Sequence, residues 1–281
     1  MSRNIWLATL LGLLAVSSAS AQPARFKFEK GQVLTYHIVQ TTKATETTID
    51  EKTSKPVTHE HATKHTADRR WKVVDIDAKG IATLDMTITA MRWEQKLPNG
   101  ETDVFDSAKP DDLNKSEMAK LIGPVLAVVR VDPTGKLVEV KESKFGSSSR
   151  FATDLPFKVI LPPSGPKEGQ TWDRVFTVKL DPPHGTGEIY EALQKYTAKP
   201  TVNGFAVINV ATTINEMPAQ VSDQIPLLPM LLEGDVYFHE GTGTYRAARL
   251  RIKKELLNHQ GEGTKYVFES AYAEDWKVEK K

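Results

Sequence analysis

The sequence predicts a mainly β protein of antiparallel curved sheets in two related halves, with one or two short helices. Three observations carry this expectation: apolar and polar residues alternate at period two in several runs, the runs are separated by strong turn chemistry, and an ordered set of turn markers occurs twice. Alternation is clear where Ala82, Leu84, Met86, Ile88 and Ala90 oppose Thr83, Asp85, Thr87 and Thr89. It recurs where Ala248, Leu250, Ile252 and Leu256 oppose Arg249, Arg251, Lys253 and Glu255. Successive side chains of a strand point to opposite faces, so this pattern describes sheets with one buried and one wet face.

The turns follow the same logic. Asp132-Pro133-Thr134-Gly135 places Asp first, Pro where φ must lie near −65° and Gly at the close, which is type I chemistry. Pro98-Asn99-Gly100, Asn203-Gly204 and Gly241-Thr242-Gly243 supply residues that tolerate positive φ. The repeated markers begin with Lys30-Gly31-Gln32-Val33 and Glu168-Gly169-Gln170-Thr171. They continue with Gly80 and Gly204 between strand-like runs, and end with Val128 to Gly135 and Val236 to Gly241.

Helical pattern is confined to Asp111 to Ile122, which starts after Pro110 and stops at Gly123-Pro124. Glu188 to Tyr196 fits both periods, and the repeat assigns it to a strand. The organisation expected is a signal peptide over 1–21, an N-terminal β half over 22–145, a packed linker over 146–168 and a C-terminal β half over 169–281. In the linker, Pro156, Pro162, Pro163 and Pro166 interrupt any long element, while Phe151, Leu155, Phe157, Val159, Ile160 and Leu161 predict that it packs down around a short helix.

Residues 1–21 read as an export signal: Arg3, an apolar run from Ile5 to Val16, and the small-residue exit Ala19-Ser20-Ala21. The run falls short of the roughly 20 residues that span a bilayer. Cleavage after Ala21 would leave an exported chain, periplasmic or extracellular, that does not span the membrane.

Charge and cysteine content exclude several classes. With 37 Lys+Arg against 36 Asp+Glu, the chain lacks the cationic surplus that nucleic-acid binding requires. The absence of Cys excludes disulfides, thiolate metal sites, a cysteine nucleophile and lipid attachment at a lipobox. No G-x-S-x-G elbow or phosphate-binding loop occurs, and no carboxylate pair stands out by spacing, so no catalytic residue is assigned.

Two constellations remain. His59, His61 and His65 share one face of an extended strand, where neutral imidazoles suit zinc or copper, with Glu46 as a possible further ligand. Their surroundings, Thr41 to Thr66, read instead as a polar hairpin turning near Lys52 to Pro56. The apolar, proline-broken Ile225 to Leu232 is the second; Leu227, Leu228, Met230 and Leu231 would cover a curved sheet and line a site for a lipid-like ligand. The basic stripe Arg246, Arg249, Arg251 and Lys253 is explained as the wet face of a strand.

The opening Lys30-Gly31-Gln32-Val33-Leu34-Thr35-Tyr36, the Trp71-to-Leu84 hairpin, Phe105-Asp106-Ser107, Asp132-Pro133-Thr134-Gly135 and Gly169-Gln170-Thr171-Trp172 together resemble a secreted bacterial β-rich family of unknown function. The resemblance implies location and architecture and brings no catalytic residues. A more distant likeness, at the level of fold, is to the curved-sheet periplasmic lipoprotein carriers. The expected function is that of an exported, non-catalytic binding or structural protein of the envelope or exterior, partnered by an envelope protein. The alternatives are carriage of a small apolar ligand such as lipid, and metal binding through His59, His61 and His65.

Overall fold

The computed structural model describes residues 23–97, 100–144, 146–182 and 184–278; the segment 1–21 expected to be an export signal, and Pro98 and Asn99 of the Pro98-Asn99-Gly100 turn, lie outside them. The chain is mainly β. Its strands are β1 (Val33–Ile49), β2 (Pro56–Ile76), β3 (Ala82–Lys96), β4 (Thr102–Asp106), β5 (Val125–Val131), β6 (Leu137–Ser143), β7 (Thr171–Leu180), β8 (Glu188–Ala198), β9 (Phe205–Ile214), β10 (Glu233–His239), β11 (Thr244–Leu257) and β12 (Lys265–Lys277). Among the described residues they form one open antiparallel sheet of 12 strands, ordered β6-β5-β3-β2-β1-β12-β11-β10-β9-β8-β7, with β4 on β3. The expected plural sheets are thus a single one, because β1 and β12 pair from Thr35↔Lys277 to Thr47↔Lys265.

That sheet is a trough. The amides of the consecutive residues Phe26 and Lys27 donate to Pro133 O at 2.8 Å and Gly243 O at 2.9 Å. Consecutive Cα atoms are about 3.8 Å apart. Pro133 lies in the β5–β6 turn and Gly243 follows β10, and the nearest of their strands, β5 and β11, are five places apart. A flat sheet would separate them by about 24 Å; only strong curling brings both turns to one short segment.

The trough is filled from within by the segment joining β6 to β7. Phe151, Leu155, Phe157, Val159 and Leu161 are buried, and a short helix α2 (Arg150–Thr153) opens the segment. Phe157 lies against Phe26, Phe28, Tyr36, Trp71 and Tyr245, with ring centroids 5.2–6.2 Å apart. Leu161 N donates to Thr134 O at 2.7 Å, and Trp172 Nε1 on β7 donates to Ile160 O at 2.6 Å, so the segment ties one edge of the sheet to the other.

Turn chemistry fixes the hairpins. Asp132 Oδ1 accepts from Thr134 N, Thr134 Oγ1 and Lys136 N, while Gly135 N closes the turn on Asp132 O. Gly135 has φ +88°, and a Cβ there would stand 2.6 Å from the Phe26 ring and 2.7 Å from Val159 O. Backbone freedom and close approach therefore both require glycine. Before β1, Gly31 N donates to Val73 O and Glu29 N to Gln32 Oε1; before β7, Gly169 N donates to Ala198 O and Lys167 N to Gln170 Oε1.

Two local expectations are corrected. The helix expected over Asp111 to Ile122 breaks into α1 (Pro110–Lys115) and a 3-10 turn (Glu117–Leu121), because Ser116 is extended and its hydroxyl accepts from Met118 N. A serine side chain competes for backbone donors in this way and restarts the turn. In β3, Ala90 is exposed and Met91 buried. The irregularity opposite Asp68/Arg69, where Thr89 is the extra residue in β3, shifts the alternation by one residue. Glu188 to Tyr196 is strand, within β8.

Candidate cleft at the open end of the trough

Register decides which side chains share the interior. The pairs Leu34↔Trp71, Tyr36↔Arg69 and Gln40↔His65 set the inner faces of β1 and β2, and Tyr36↔Trp276 and Gln40↔Tyr272 extend them to β12. Along these strands the interior changes character. At the end marked by Tyr36, Trp71, Tyr245 and Phe238 it is solid aromatic core. Past Gln40, Leu250 and Tyr272 it opens.

A charged network marks the boundary. Glu274 is fully buried; its Oε1 accepts from Arg69 Nη2 at 2.6 Å, and its Oε2 accepts from Tyr245 OH at 2.6 Å and Tyr272 OH at 2.9 Å. Burial, reinforced by the Glu274 charge, pushes both phenols well above their ordinary pKa. Desolvation works against the Arg69 charge, but Glu274 outweighs it and holds the guanidinium protonated.

Beyond the network lies a chamber of about 190 Å³, walled by Gln40, Lys158, Arg174, Gln194, Thr212 and Tyr272. Arg174 on β7 donates through Nε to Gln194 Oε1 at 2.8 Å, and through its terminal nitrogens to Ala152 O at 2.6 Å and Thr153 O at 3.2 Å. Tyr196 OH donates to the same Gln194 oxygen at 2.6 Å, and burial pushes that phenol up to about 12. Lys158 Nζ bonds Asp154 and stands 4.6 Å from the Tyr272 ring centroid.

The chamber adjoins a cleft of about 630 Å³, sharing Thr153, Asp154, Pro229 and Met230 with it. Val178, Leu180, Ile225, Pro226, Tyr266 and Phe268 give this cleft its apolar lining. One wall is the 3-10 segment Ser222–Met230, whose Pro226 and Pro229 deny it a regular hydrogen-bond ladder.

The four residues expected to line an apolar site divide. Leu227 is fully buried against Phe176, Val178, Leu180 and Ile214, and Leu228 against Ile252 and Phe268, so both anchor the segment. Leu231 packs at the edge of both clusters. Met230 lines chamber and cleft alike.

The histidines lie elsewhere, on the β1–β2 hairpin, which turns at residues 50–55. His59 and His61 are exposed. Strand geometry keeps His61 and His65 about 13 Å apart. Register sets Glu46 opposite His59, yet the Glu46 carboxylate accepts from His259 Nε2 at 2.8 Å and Gln260 Nε2 at 3.2 Å. Among the described residues no group of three or more His, Asp or Glu side chains is placed to hold a metal ion.

On the outer face, troughs of about 840 and 670 Å³ run over the small residues Ala271 and Ala273. They are open and lined by charges of both signs, with Lys253 paired to Glu269 in the larger one and Arg251 lining both. Arg246, expected on the wet face with Arg249, Arg251 and Lys253, lies instead on the inner face, because it has the parity of Ala248 and Leu250; it stacks on Trp276, its Cζ 3.3 Å from the ring centroid. No helix among the described residues is long and apolar enough to cross a membrane.

The sequence reading missed Lys158, Arg174, Gln194, Tyr272 and Glu274. One signal was present: Ser270, Tyr272, Glu274 and Trp276 share a strand face, so a carboxylate stands among aromatic core positions.

Neither a family model nor a curated protein matches the chain. Among solved structures, a lipovitellin chain, from work on lipid–protein interactions in lipovitellin, aligns with a TM-score of 0.48 and 11% identity over 90% of this chain and 26% of its own, so this chain spans about a quarter of its length. A DUF1329 family protein from Desulfovibrio piger aligns over 89% of this chain and 85% of its own at 11% identity and a TM-score of 0.14. The Salmonella type III secretion secretin InvG aligns over 90% and 63% at 10% identity and a TM-score of 0.15. None of the three bears on the cleft, and no secreted family follows from them.

Proposed function

We propose that this is an exported binding protein that carries a small apolar molecule in the cleft beside Ser222–Met230. The observation that supports the reading most directly is the cleft itself: about 630 Å³ lined by Val178, Leu180, Ile225, Pro226 and Phe268, at the open end of a trough whose other end is packed solid. Volumes of roughly 300–1,000 Å³ with mostly apolar walls and a few converging polar groups are typical of small-molecule sites. The signal-like residues 1–21 support export, to the periplasm or outside the cell, as part of this reading.

The test is titration of the purified protein with Nile red, an uncharged apolar dye. Saturable binding is expected, with Ile225→Glu and Met230→Glu each weakening it at least tenfold while melting temperature changes little. Absence of saturable binding to the wild type, or full binding by both variants, would remove this reading.

A further inference from the structure

Charge accounting around the inner chamber goes one step past an apolar cleft. Arg69 is neutralised by Glu274, and Lys158 is bonded to Asp154. Among the described residues Arg174 has no such partner at bonding distance: its hydrogen bonds through Nε, Nη1 and Nη2 end on the uncharged oxygens of Gln194, Ala152 and Thr153. A guanidinium has five N–H donors; Tyr196 engages the group as well, and the Phe176 ring centroid lies 4.3 Å from its Cζ, both of them uncharged partners. Burial draws its pKa down, with Tyr196 and Asp154 offsetting only part of the cost. Lys158 adds a second cation on the same wall, its side chain 12% exposed, with two of its three ammonium protons free of the Asp154 bond. The single carboxylate on the chamber wall is that of Asp154, which Lys158 already engages. Burying a cation with only partial compensation is costly, and an arriving anion that pairs with it lowers that cost.

We infer that the ligand is a single-chain amphiphile with an oxyanion head, a carboxylate or a phosphate monoester, whose head enters the chamber between Arg174 and Lys158 while its chain fills the apolar cleft. This rests on the cleft reading above and adds the head-group class to it. Thr153, Asp154, Pro229 and Met230 stand in the walls of both spaces, which sets a head site and a chain site side by side within reach of one molecule. The small inner volume, about 190 Å³, favours a compact head over a bulky one.

The experiment is displacement of Nile red by dodecanoate, dodecyl phosphate and dodecanol, each below its micelle concentration, from wild type, Arg174→Gln and Lys158→Met. Wild type is expected to hold at least one of the two anions about tenfold or more tighter than the alcohol, the scale of one charge-assisted hydrogen bond. Whichever anion is preferred identifies the head. Lys158→Met should reduce the preference several-fold, and Arg174→Gln should abolish it, the loss falling on anion affinity far more than on dodecanol affinity in both. Arg174 also clamps the end of α2, so if Arg174→Gln lowers the melting temperature strongly, the wild-type ratio and Lys158→Met decide the matter. Equal wild-type affinity for anions and alcohol overturns the inference and leaves the apolar cleft standing. Failure of Nile red and all three amphiphiles to bind overturns the cleft reading instead.

Discussion

The two ends of one trough, built from the same strands, have opposite interiors. At the Tyr36–Trp71–Tyr245 end, Phe26, Phe28 and Phe157 fill the space between the curled strands, and Trp71, Phe157 and Phe238 have no exposed surface. Past Tyr272 and Leu250 the same strands carry Gln40, Thr42, Ser270 and Phe268, and the covering segment holds prolines in place of a second aromatic plug. Identical backbone pairing therefore yields core where large side chains meet and a cleft where they do not. The Glu274 network sits at the junction, where the buried carboxylate is paired with Arg69 and with the Tyr245 and Tyr272 hydroxyls.

Breaking the packed end should have the largest effects. Phe157→Ala removes the ring on which five other aromatic residues converge, with an expected loss of about 3–5 kcal/mol. Glu274→Gln leaves the Arg69 charge buried without its counter-ion and is expected to cost about 3–5 kcal/mol. Urea denaturation measures both; a loss under about 1 kcal/mol for either would mean that this end relaxes as freely as the open one.

The cleft wall sharpens the contrast within a single segment. Leu228→Ala should cost about 2–5 kcal/mol, because its side chain is buried against Ile252 and Phe268. Met230→Ala, two residues on, should cost less than about 1 kcal/mol while weakening Nile red binding, since Met230 faces chamber and cleft. Equal destabilisation by the two would make the segment plain core.

The smallest effect concerns the polar hairpin that continues past the cleft. Burial, helped by the Arg69 charge, lowers the His65 pKa below its ordinary 6.5. The unfolded chain then binds the proton more readily, so the stability present above about pH 6.5 is lost as pH falls from there through the folded-state pKa. His65→Gln should flatten that part of the stability–pH curve. A curve unchanged by the substitution would show His65 to be as solvated as His59 and His61.

Much of the architecture was legible. Arg249, Arg251 and Lys253 alternate with Leu250 and Ile252 as a wet and a dry face must, and Asp132 to Gly135 contains the atoms its turn uses. The linker's apolar residues announced that it packs down. Ala90 misled because a strand irregularity shifts the pattern by one residue and leaves no local mark. Asp111 to Ile122 misled because Ser116 caps a new turn in the middle of an apolar set. The apolar segment at Leu227 to Leu231 was found, but its division into anchors and lining was not, since both kinds of residue look alike without their neighbours.

Sequence by itself determined the strands, the turns and the segment that covers the interior, because each depends on alternation or on φ preferences within a few residues. Only the tertiary structure decided that β1 pairs with β12, that one sheet curls into a trough, and that Gln40, Lys158, Arg174, Gln194, Thr212 and Tyr272 meet in one chamber. Those residues come from six places in the chain. No local pattern brings them together; strand register and the curl of the sheet do.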